Sequence, residues 1–427
     1  MILFQLKTAL RSILSDFLKG FDRRLKVLFV AIGLQNWSTS LPSQYNQLYA
    51  TSLGANPIEL GSLNSIGSLV NSIISAPIGW VIDRYGVKRM LLLGLALSAI
   101  VSSIYGCAFN WWMLIPAIIL TQIGMRLIMP LTDIIIIGST NPKRRALTMG
   151  FSRTIWAIPN IFAPVVAAII VYNFGGINSQ GIRPLYFVQL FLFILTIVIV
   201  SIMLKPLPTR LDEKSRSHHE SKISFIEDYK TLIKSERWLK HWMIIMSVQR
   251  FGMGVSMPFV PLWIVQVKGA DPYLLGVLGT LSIVTSLLLQ IPMGRLADMI
   301  GRKKVYLILC PFVYLGTLLL VLAPDPLMLS IVGILGAIGM GSPGGGGGIG
   351  GVRFIPFITM YWESVPAEKR GRLQGLTGIF GISGVIASLL GGFLWQNGYR
   401  ELVLLLPILI EVLILMPILI CIPENPQ

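Results

Sequence analysis

Three arginine side chains within long apolar stretches are the residues of this sequence best suited to chemistry. Arg126, Arg250 and Arg353 each interrupt a run of mostly apolar residues, and Gln249 precedes Arg250. A guanidinium group is a rigid fork of N–H donors that binds a carboxylate or phosphate through two parallel hydrogen bonds. The three arginines therefore predict binding of a small anion. The alternative interpretations are an ion pair with Asp133, a role in proton coupling, for which Arg126 is the candidate, and, for Arg353, a position near a membrane surface.

Acidic side chains in the same stretches are able to bind a proton or to neutralise an arginine. Asp133 lies seven residues after the first of these arginines, which places it on the same helix face, about 10 Å along the axis. It is a candidate for proton coupling, and the alternative is an ion pair with Arg84. Glu363 is expected to pair in the same way with Arg302, whereas no role is predicted for Glu411.

A further group of polar residues recurs along one segment near the N-terminus. Residues 35–47 read QNWSTSLPSQYNQ, and the polar side chains return at intervals of about one helical turn. Such a stripe faces a substrate or forms hydrogen bonds between helices. The residues of this polar stripe are Gln35, Asn36, Thr39, Ser40 and Gln44.

The composition indicates that membrane-spanning helices position these residues. Of 427 residues, 54% are hydrophobic and only 13% are charged, and the mean hydropathy is +0.74. These values exclude an ordinary soluble enzyme, a disordered chain and a secreted disulfide scaffold. Long unbroken apolar runs favour helices over the alternating segments of a membrane β-barrel. The three cysteines and three histidines show no metal-ligand spacing, so neither a metal nor a cofactor is predicted.

Twelve apolar segments predict an all-α membrane protein with six spans in each half, residues 27–204 and 241–422. The predicted spans are residues 27–50, 57–82, 88–109, 112–138, 146–173, 184–204, 241–267, 272–299, 304–323, 327–362, 373–396 and 400–422, numbered 1 to 12. Residues 1–26 resemble an amphipathic helix on the inner membrane surface rather than a signal peptide. Residues 205–240 are predicted to form a cytoplasmic loop, and residues 423–427 a cytoplasmic tail.

The positive charges lie on one side of this predicted topology. Of the 35 lysines and arginines, 29 fall in one set of connections, 3 in the other and 3 within spans. By the positive-inside rule, both termini are cytoplasmic and the protein is integral to the cell membrane. The net charge of +16 is therefore explained by topology, and no nucleic-acid partner is expected.

The two halves repeat each other. GANP at 54–57 matches GADP at 269–272, and Asp83 matches Asp298 at the same offset. Pro130 pairs with Pro356 at a larger offset, so the second half carries an insertion ahead of Pro356. The glycine-rich stretch 341–351 is the candidate insert. It is predicted to break span 10 near the cavity or to form a tolerated bulge.

A motif between spans 2 and 3 recurs between spans 8 and 9 as Gly-x-x-x-Asp-x-x-Gly-x-basic-basic. The first glycine of each copy permits close helix contact, and the second allows a turn with positive φ. The aspartate suits a helix N-terminus, and the basic residues mark the cytoplasmic face. We call these residues the signature: Gly79, Asp83, Arg84, Gly86, Lys88 and Arg89 in the first half, with Gly294, Asp298, Gly301, Arg302 and Lys303 in the second.

With two such copies, the sequence resembles the major facilitator superfamily of secondary transporters over essentially its whole length. The resemblance implies a bundle of two six-helix halves around one central cavity, which opens alternately to each side. It implies that spans 1, 4, 7 and 10 line the cavity and that the signature is a gating element, the alternative being a simple turn motif. Arg126 also matches an arginine that many proton antiporters of the family carry in span 4.

Two transport functions follow from this resemblance. The first is proton-coupled movement of a small organic solute, including multidrug-type efflux of amphipathic compounds. The second is transport of a small organic anion, a carboxylate or phosphate ester, held by the cavity arginines. A non-transporting membrane sensor is a remote third possibility, and no enzymatic activity is expected. The predicted partners are a small-molecule substrate, a proton or other coupling ion and the lipid bilayer, and the chain is predicted to be a monomer.

Overall fold

The computed structural model describes residues 23–75, 86–138, 140, 145–204, 238–325, 328–336, 347–366 and 370–423. Most of the predicted amphipathic segment 1–26, almost all of the central loop and most of the glycine insert lie outside these residues. So do Gly79, Asp83 and Arg84 of the first signature copy. The described residues form helices and connections without any strand.

The helices follow the twelve predicted spans. In the first half they are Arg23–Ser40 and Asn46–Ser52 for span 1, Pro57–Ile74, Val87–Cys107, Leu114–Gly138, Arg145–Asn173 and Ser179–Met203. In the second half, span 7 consists of Leu239–Ser256, Val260–Leu262 and the π-helical turn Trp263–Val267, followed by Pro272–Ile300 as span 8 and Arg302–Leu322 as span 9. Span 10 consists of Leu329–Leu335 and Gly348–Glu363, and span 11 is Arg370–Gln396. Span 12 consists of Arg400–Ile410, the π-helical turn Glu411–Leu415 and Met416–Cys421.

Eight of the described helices are long and apolar enough to cross a membrane. Their outward faces carry large apolar side chains, such as Ile202 at 77% and Leu413 at 70% exposure. Surfaces of this kind are suited to lipid rather than water. The chain is therefore a multi-pass membrane protein built as a helical bundle of two pseudo-symmetric halves.

The repeat is visible in how equivalent helices begin. Span 2 starts with a capping box, in which the Asn56 side chain accepts from the backbone N–H of Glu59 at 2.9 Å and Glu59 accepts from that of Asn56 at 2.8 Å. At the equivalent point of the second half, Asp271 accepts from the N–H of Leu274 at 2.7 Å. These side chains satisfy donors that a helix N-terminus leaves free.

The second glycine of each signature copy starts the next helix. Gly86 has φ of 82° before span 3, and Gly301 has φ of 105° before span 9. Both angles lie in the region that favours glycine because it has no Cβ. The predicted turns with positive φ are confirmed at both positions.

Span 10 is interrupted as its length suggested. Its first helix ends at Gly336, whose φ is 85°, and its second begins at Gly348. The second helix therefore includes the last four residues of the predicted insert 341–351. Arg353 lies in the first two turns after the interruption.

Spans 2 and 11 join the two halves through small residues. Ser72 and Ser75 face Gly381 and Gly378, where an added methyl group would collide with the serine side chain. The Ser65 hydroxyl donates to the carbonyl of Val385 at 2.7 Å. Small residues allow helix backbones to approach closely in membranes.

Spans 5 and 8 form the second junction, at the distal end of the bundle. We define the distal end as the end holding the connections at residues 53–56 and 269–271, opposite the chain termini. A Cβ on Gly276 would lie 2.8 Å from the Cβ of Ala168 and 2.9 Å from the carbonyl oxygen of Pro164. The Thr280 hydroxyl donates to the Ile161 carbonyl at 3.2 Å. These contacts close the bundle at its distal end.

Gly294 corrects one expectation. It was predicted to permit a close helix contact, but no described atom of a neighbouring element lies within 4 Å of the place its Cβ would occupy. Gly294 belongs to the part of span 8 away from the distal end. The packing of span 8 against span 5 described above therefore does not extend to Gly294.

Closure at the distal end should depend on Gly276, because even one added methyl group meets atoms of span 5. We expect Gly276→Leu to shift the protein toward a distally open state. Overpacking costs about 1–3 kcal/mol, which changes a two-state ratio by about 5- to 160-fold. The check is a spin-label distance between Phe109 and Pro324, exposed distal connections of the two halves. Val277→Leu, an exposed neighbour, is the control; equal distances in both variants would contradict the prediction.

Candidate functional site

Two of the predicted arginines lie on central spans of opposite halves. Arg126 is half-buried in span 4, and Arg250 is exposed within span 7. Their guanidinium groups are close enough to repel each other electrostatically. The Nε of Arg126 donates to the Oδ1 of Asn71 at 2.6 Å. Arg250 makes no side-chain hydrogen bond or ion pair with any described residue.

Asn71, which the sequence analysis missed, lies in the last turn of the helix Pro57–Ile74. Its amide oxygen fixes the Arg126 side chain without neutralising its charge. An asparagine used in this way leaves the other guanidinium nitrogens available to a ligand. The described part of the chain thus holds two uncompensated cations between spans 4 and 7.

The structure places the third arginine in a different environment. Arg353 donates from its Nη1 to the Glu411 Oε1 of span 12 at 2.6 Å, and the same nitrogen lies 3.4 Å from the Cys310 Sγ. Its guanidinium stacks 5.2 Å from the ring centroid of Tyr306. Arg353 is therefore neutralised by Glu411 and is not available as a free cation for a substrate anion in this conformation.

The polar stripe of span 1 is divided between two environments. Gln35 and Ser40 are buried, and Asn36 and Thr39 are half-buried. The Thr39 hydroxyl donates to the carbonyls of Gln35 and Asn36 at 3.1 and 2.9 Å. Its bonding capacity is therefore used within the helix, as is common for threonine in membranes.

Gln44, the last residue of the stripe, lies in the distal junction. Its side chain is 1% exposed, and neither amide atom has a hydrogen-bond partner among the described residues. It contacts Gly279 of span 8, where any side chain would occupy the same space. Gln44 is thus part of the contact between the halves, some turns away from the level of the two central arginines.

A cavity of about 130 Å³ lies within the second half, on the side of span 7 that carries Gln249. Spans 7, 9, 10 and 12 line it with both apolar and polar groups. The polar lining includes Gln249, Ser256, Tyr314, Arg353 and Glu411. Gln249 therefore faces this inner cavity, whereas the adjacent Arg250 faces the other half of the bundle.

The signature lysines have equivalent roles in both halves. The Lys88 Nζ donates to the carbonyl of Ser201 at 2.9 Å, near the end of span 6. The Nζ of Lys303, its counterpart in the repeat, donates to the carbonyls of Ile420 and Ile422 at the end of span 12, at 2.6 and 2.8 Å. A cation at a helix C-terminus meets the free carbonyls and the negative end of the helix dipole.

The remaining signature residues show one confirmed ion pair. Arg302 pairs with Glu363, as the sequence analysis predicted, and lies 3.8 Å from Asp298. Arg89 is exposed. Asp133 is half-buried, and because Arg84 lies outside the described residues, their pairing stays a prediction.

Removing the Lys303 ammonium should loosen the end of span 12. We expect Lys303→Met to lower stability by about 1–2 kcal/mol, since two hydrogen bonds from a charged donor are lost. The thermal unfolding midpoint in detergent measures the effect. Lys304→Met is the matched control because Lys304 is exposed, and an equal loss in both variants would contradict this role for Lys303.

Comparisons with known proteins agree with this architecture. The family model described as Major Facilitator Superfamily matches residues 28–249 and 242–427. Multidrug resistance protein 2 of Bacillus subtilis (strain 168) is 25% identical over 240 residues, or 55% of this chain and 57% of that protein. Multidrug resistance protein MdtG of Escherichia coli O9:H4 (strain HS) is 23% identical over 328 residues, 73% of this chain and 75% of MdtG.

A solved structure shows the same fold at lower sequence identity. A mutant of the nucleoside transporter NupG superposes with a TM-score of 0.72 at 13% identity, covering 93% of this chain and 99% of the other. The likeness concerns the arrangement of helices alone. The match to the Bacillus protein spans little more than half of its length.

Proposed function

Because this chain belongs to the Major Facilitator Superfamily of membrane transporters and is not an enzyme, we propose that it carries a small organic anion across the membrane. The anion, a carboxylate or phosphate ester, binds between Arg126 and Arg250. Transport proceeds by alternating access of the two halves to the central cavity. Both termini are cytoplasmic in this proposal, and the functional unit is a monomer.

The observation that supports an anion is the pair of uncompensated cations. Two guanidinium groups on facing halves, with no acid among their described partners, leave positive charge at membrane depth that an anion is able to neutralise. A carboxylate or phosphate between them removes the repulsion and accepts their parallel donors. Because Asn71 already orients Arg126, little side-chain entropy is lost on binding.

The anion also suggests how the halves move together. Arg126 belongs to the first half and Arg250 to the second, so one ligand that contacts both links the two halves. Binding energy then favours the conformation in which the arginines are closest. The signature, with its helix-end lysines and the Arg302–Glu363 pair, acts as the gate on the side of the termini.

Proton-coupled efflux of amphipathic compounds is the second candidate. It is favoured by the names of the two relatives, each called a multidrug resistance protein. In that function Arg126 and Asp133 serve proton coupling rather than substrate binding. The two candidates differ in the charge of the compound that moves.

Sealed proteoliposomes with an internal pH dye distinguish the candidates. We would impose gradients of small carboxylates and phosphate esters, and separately of the lipophilic cation tetraphenylphosphonium. Proton movement with the anions alone supports the arginine site. Proton movement with tetraphenylphosphonium alone supports efflux and overturns the anion proposal.

A further inference from the structure

The inner cavity of the second half is separate from the proposed anion site. Spans 7, 9, 10 and 12 supply its lining, so the whole lining belongs to one half of the bundle. Every lining residue is buried or half-buried, and neither Arg126 nor Arg250 is among them. Alternating access moves one half against the other. A compound held inside a single half is therefore not transferred by that movement.

The inner cavity has the size of a single ring compound. Its volume is about 130 Å³, and a cavity of about 150 Å³ with apolar walls admits benzene. Much of its wall is apolar and includes Met253, Val260, Leu320 and Pro407. The space therefore suits a compact ligand with an apolar body.

Two polar side chains of the lining have no partner in the described part of the chain. The Tyr314 Oη is buried and forms no hydrogen bond with a described residue, and the Cys310 thiol, one turn earlier on span 9, is only a weak acceptor. The side-chain amide of Gln249 also makes no hydrogen bond to a described residue. A buried hydroxyl is unfavourable until it is hydrogen-bonded. A ligand hydroxyl both accepts and donates, so it suits the Tyr314 O–H and the amide oxygen of Gln249.

The charged groups of the lining neutralise each other. The Nη1 of Arg353 donates to the Glu411 Oε1 at 2.6 Å, and both side chains are only 16% exposed. The Tyr306 hydroxyl donates to the same carboxylate oxygen at 2.6 Å. A charged ligand would therefore find no free counter-charge among these groups at membrane depth. The lining favours a ligand without charge.

We propose that the inner cavity binds a small uncharged ring compound that carries a hydroxyl group, a phenol being the simplest example. The ring packs between the apolar walls, and the hydroxyl contacts Tyr314 and Gln249. Compounds of this kind dissolve in the bilayer, and spans 9 and 12 both present exposed apolar side chains to it, among them Leu322 and Leu413. The cavity is an accessory site, apart from the transport path between the halves.

Fluorine NMR of probe binding to the full chain in lipid nanodiscs tests this proposal. The probe is 4-fluorophenol, and fluorobenzene is the matched compound without a hydroxyl. Empty nanodiscs give the partition of each probe into lipid, which does not saturate. We expect the wild-type protein to add a saturable component of one site per chain. No substrate anion is added, so the result is independent of the anion site proposed at Arg126 and Arg250.

Two variants examine the hydroxyl and the space separately. Tyr314→Phe should weaken binding of 4-fluorophenol by about 2- to 12-fold, the effect of one neutral hydrogen bond, and leave fluorobenzene binding unchanged. Ser256→Leu fills part of the cavity and should abolish saturable binding of both probes. Ser103→Leu, outside the cavity, is the matched control and should bind as wild type, because both serines are half-buried and donate to the carbonyl four residues earlier.

Three results would overturn the proposal. A wild-type protein without a saturable component does not bind the probe in its cavity. Saturable binding that persists in Ser256→Leu lies elsewhere on the protein. Equal weakening of both probes in Tyr314→Phe contradicts recognition of the hydroxyl. Tyr314→Phe is a conservative change, so the comparison of the two probes decides the matter even where Ser256→Leu folds poorly.

Discussion

Replacing Arg250 with glutamine is expected to lower the affinity for small organic anions by about 10- to 100-fold, because a hydrogen bond to a charged group contributes about 1.5–3 kcal/mol. Arg126→Gln should have an effect of the same size. Glutamine keeps a polar side chain of similar length but supplies no positive charge. Binding of a panel of carboxylates and phosphate esters to purified protein, by calorimetry, gives the affinities directly.

The control separates a binding role from a general effect of charge. Arg400 is an exposed arginine at the start of span 12, where its guanidinium lies 5.8 Å from the Trp395 ring centroid. Arg400→Gln lowers the net charge equally and should leave anion affinity unchanged. Transport of tetraphenylphosphonium should also survive Arg250→Gln. Lost cation transport together with unaltered anion binding would instead favour the efflux function.

The sequence was sufficient to predict the bundle because its physical signals are long and redundant. Apolar length fixes the spans, and a repeat held at one offset fixes their equivalence in the two halves. The same offset relates Lys88 to Lys303 and Asn56 to Asp271, so the matched helix ends follow from the repeat. The glycines at 86 and 301 predicted turns with positive φ, because glycine adopts these angles without a steric cost.

Partners across the bundle were less accessible to prediction. The spacing of Arg126 and Arg250 did not show that they approach each other, nor that Asn71 orients one of them. Arg353 is nearly equivalent to Arg126 by the repeat, yet it pairs with span 12 of its own half. Residue spacing gives the face of a helix, whereas the rotation of each helix against its neighbours depends on packing that a single sequence does not encode locally.

The partner of Glu411 was also not predicted from the sequence. An acid in a strongly apolar span was conspicuous, but its partner Arg353 lies two spans earlier in the chain. The signal that could have linked them is charge balance, since each interrupts an apolar stretch in the same half. The position of Arg353 along span 10 did not identify its partner, because span 10 is two separate helices and residue counting does not give the depth of Arg353 in the membrane.

Removing Arg353 alone should destabilise the protein strongly. We expect Arg353→Met to lower the free energy of unfolding by about 3 kcal/mol or more, because it leaves the carboxylate of Glu411 buried without a counter-charge. The double variant Arg353→Met with Glu411→Leu should recover most of this loss, since neither charge then remains. Thermal unfolding in detergent provides the comparison.

A more exposed ion pair of the same half provides the control for this loss. Arg302→Met is the matched control, because the Arg302–Glu363 pair is more exposed, at 29% and 34%. Exposed pairs contribute about 0–1 kcal/mol. If Arg353→Met were no more destabilising than Arg302→Met, the Arg353–Glu411 pair would not carry the stability assigned to it.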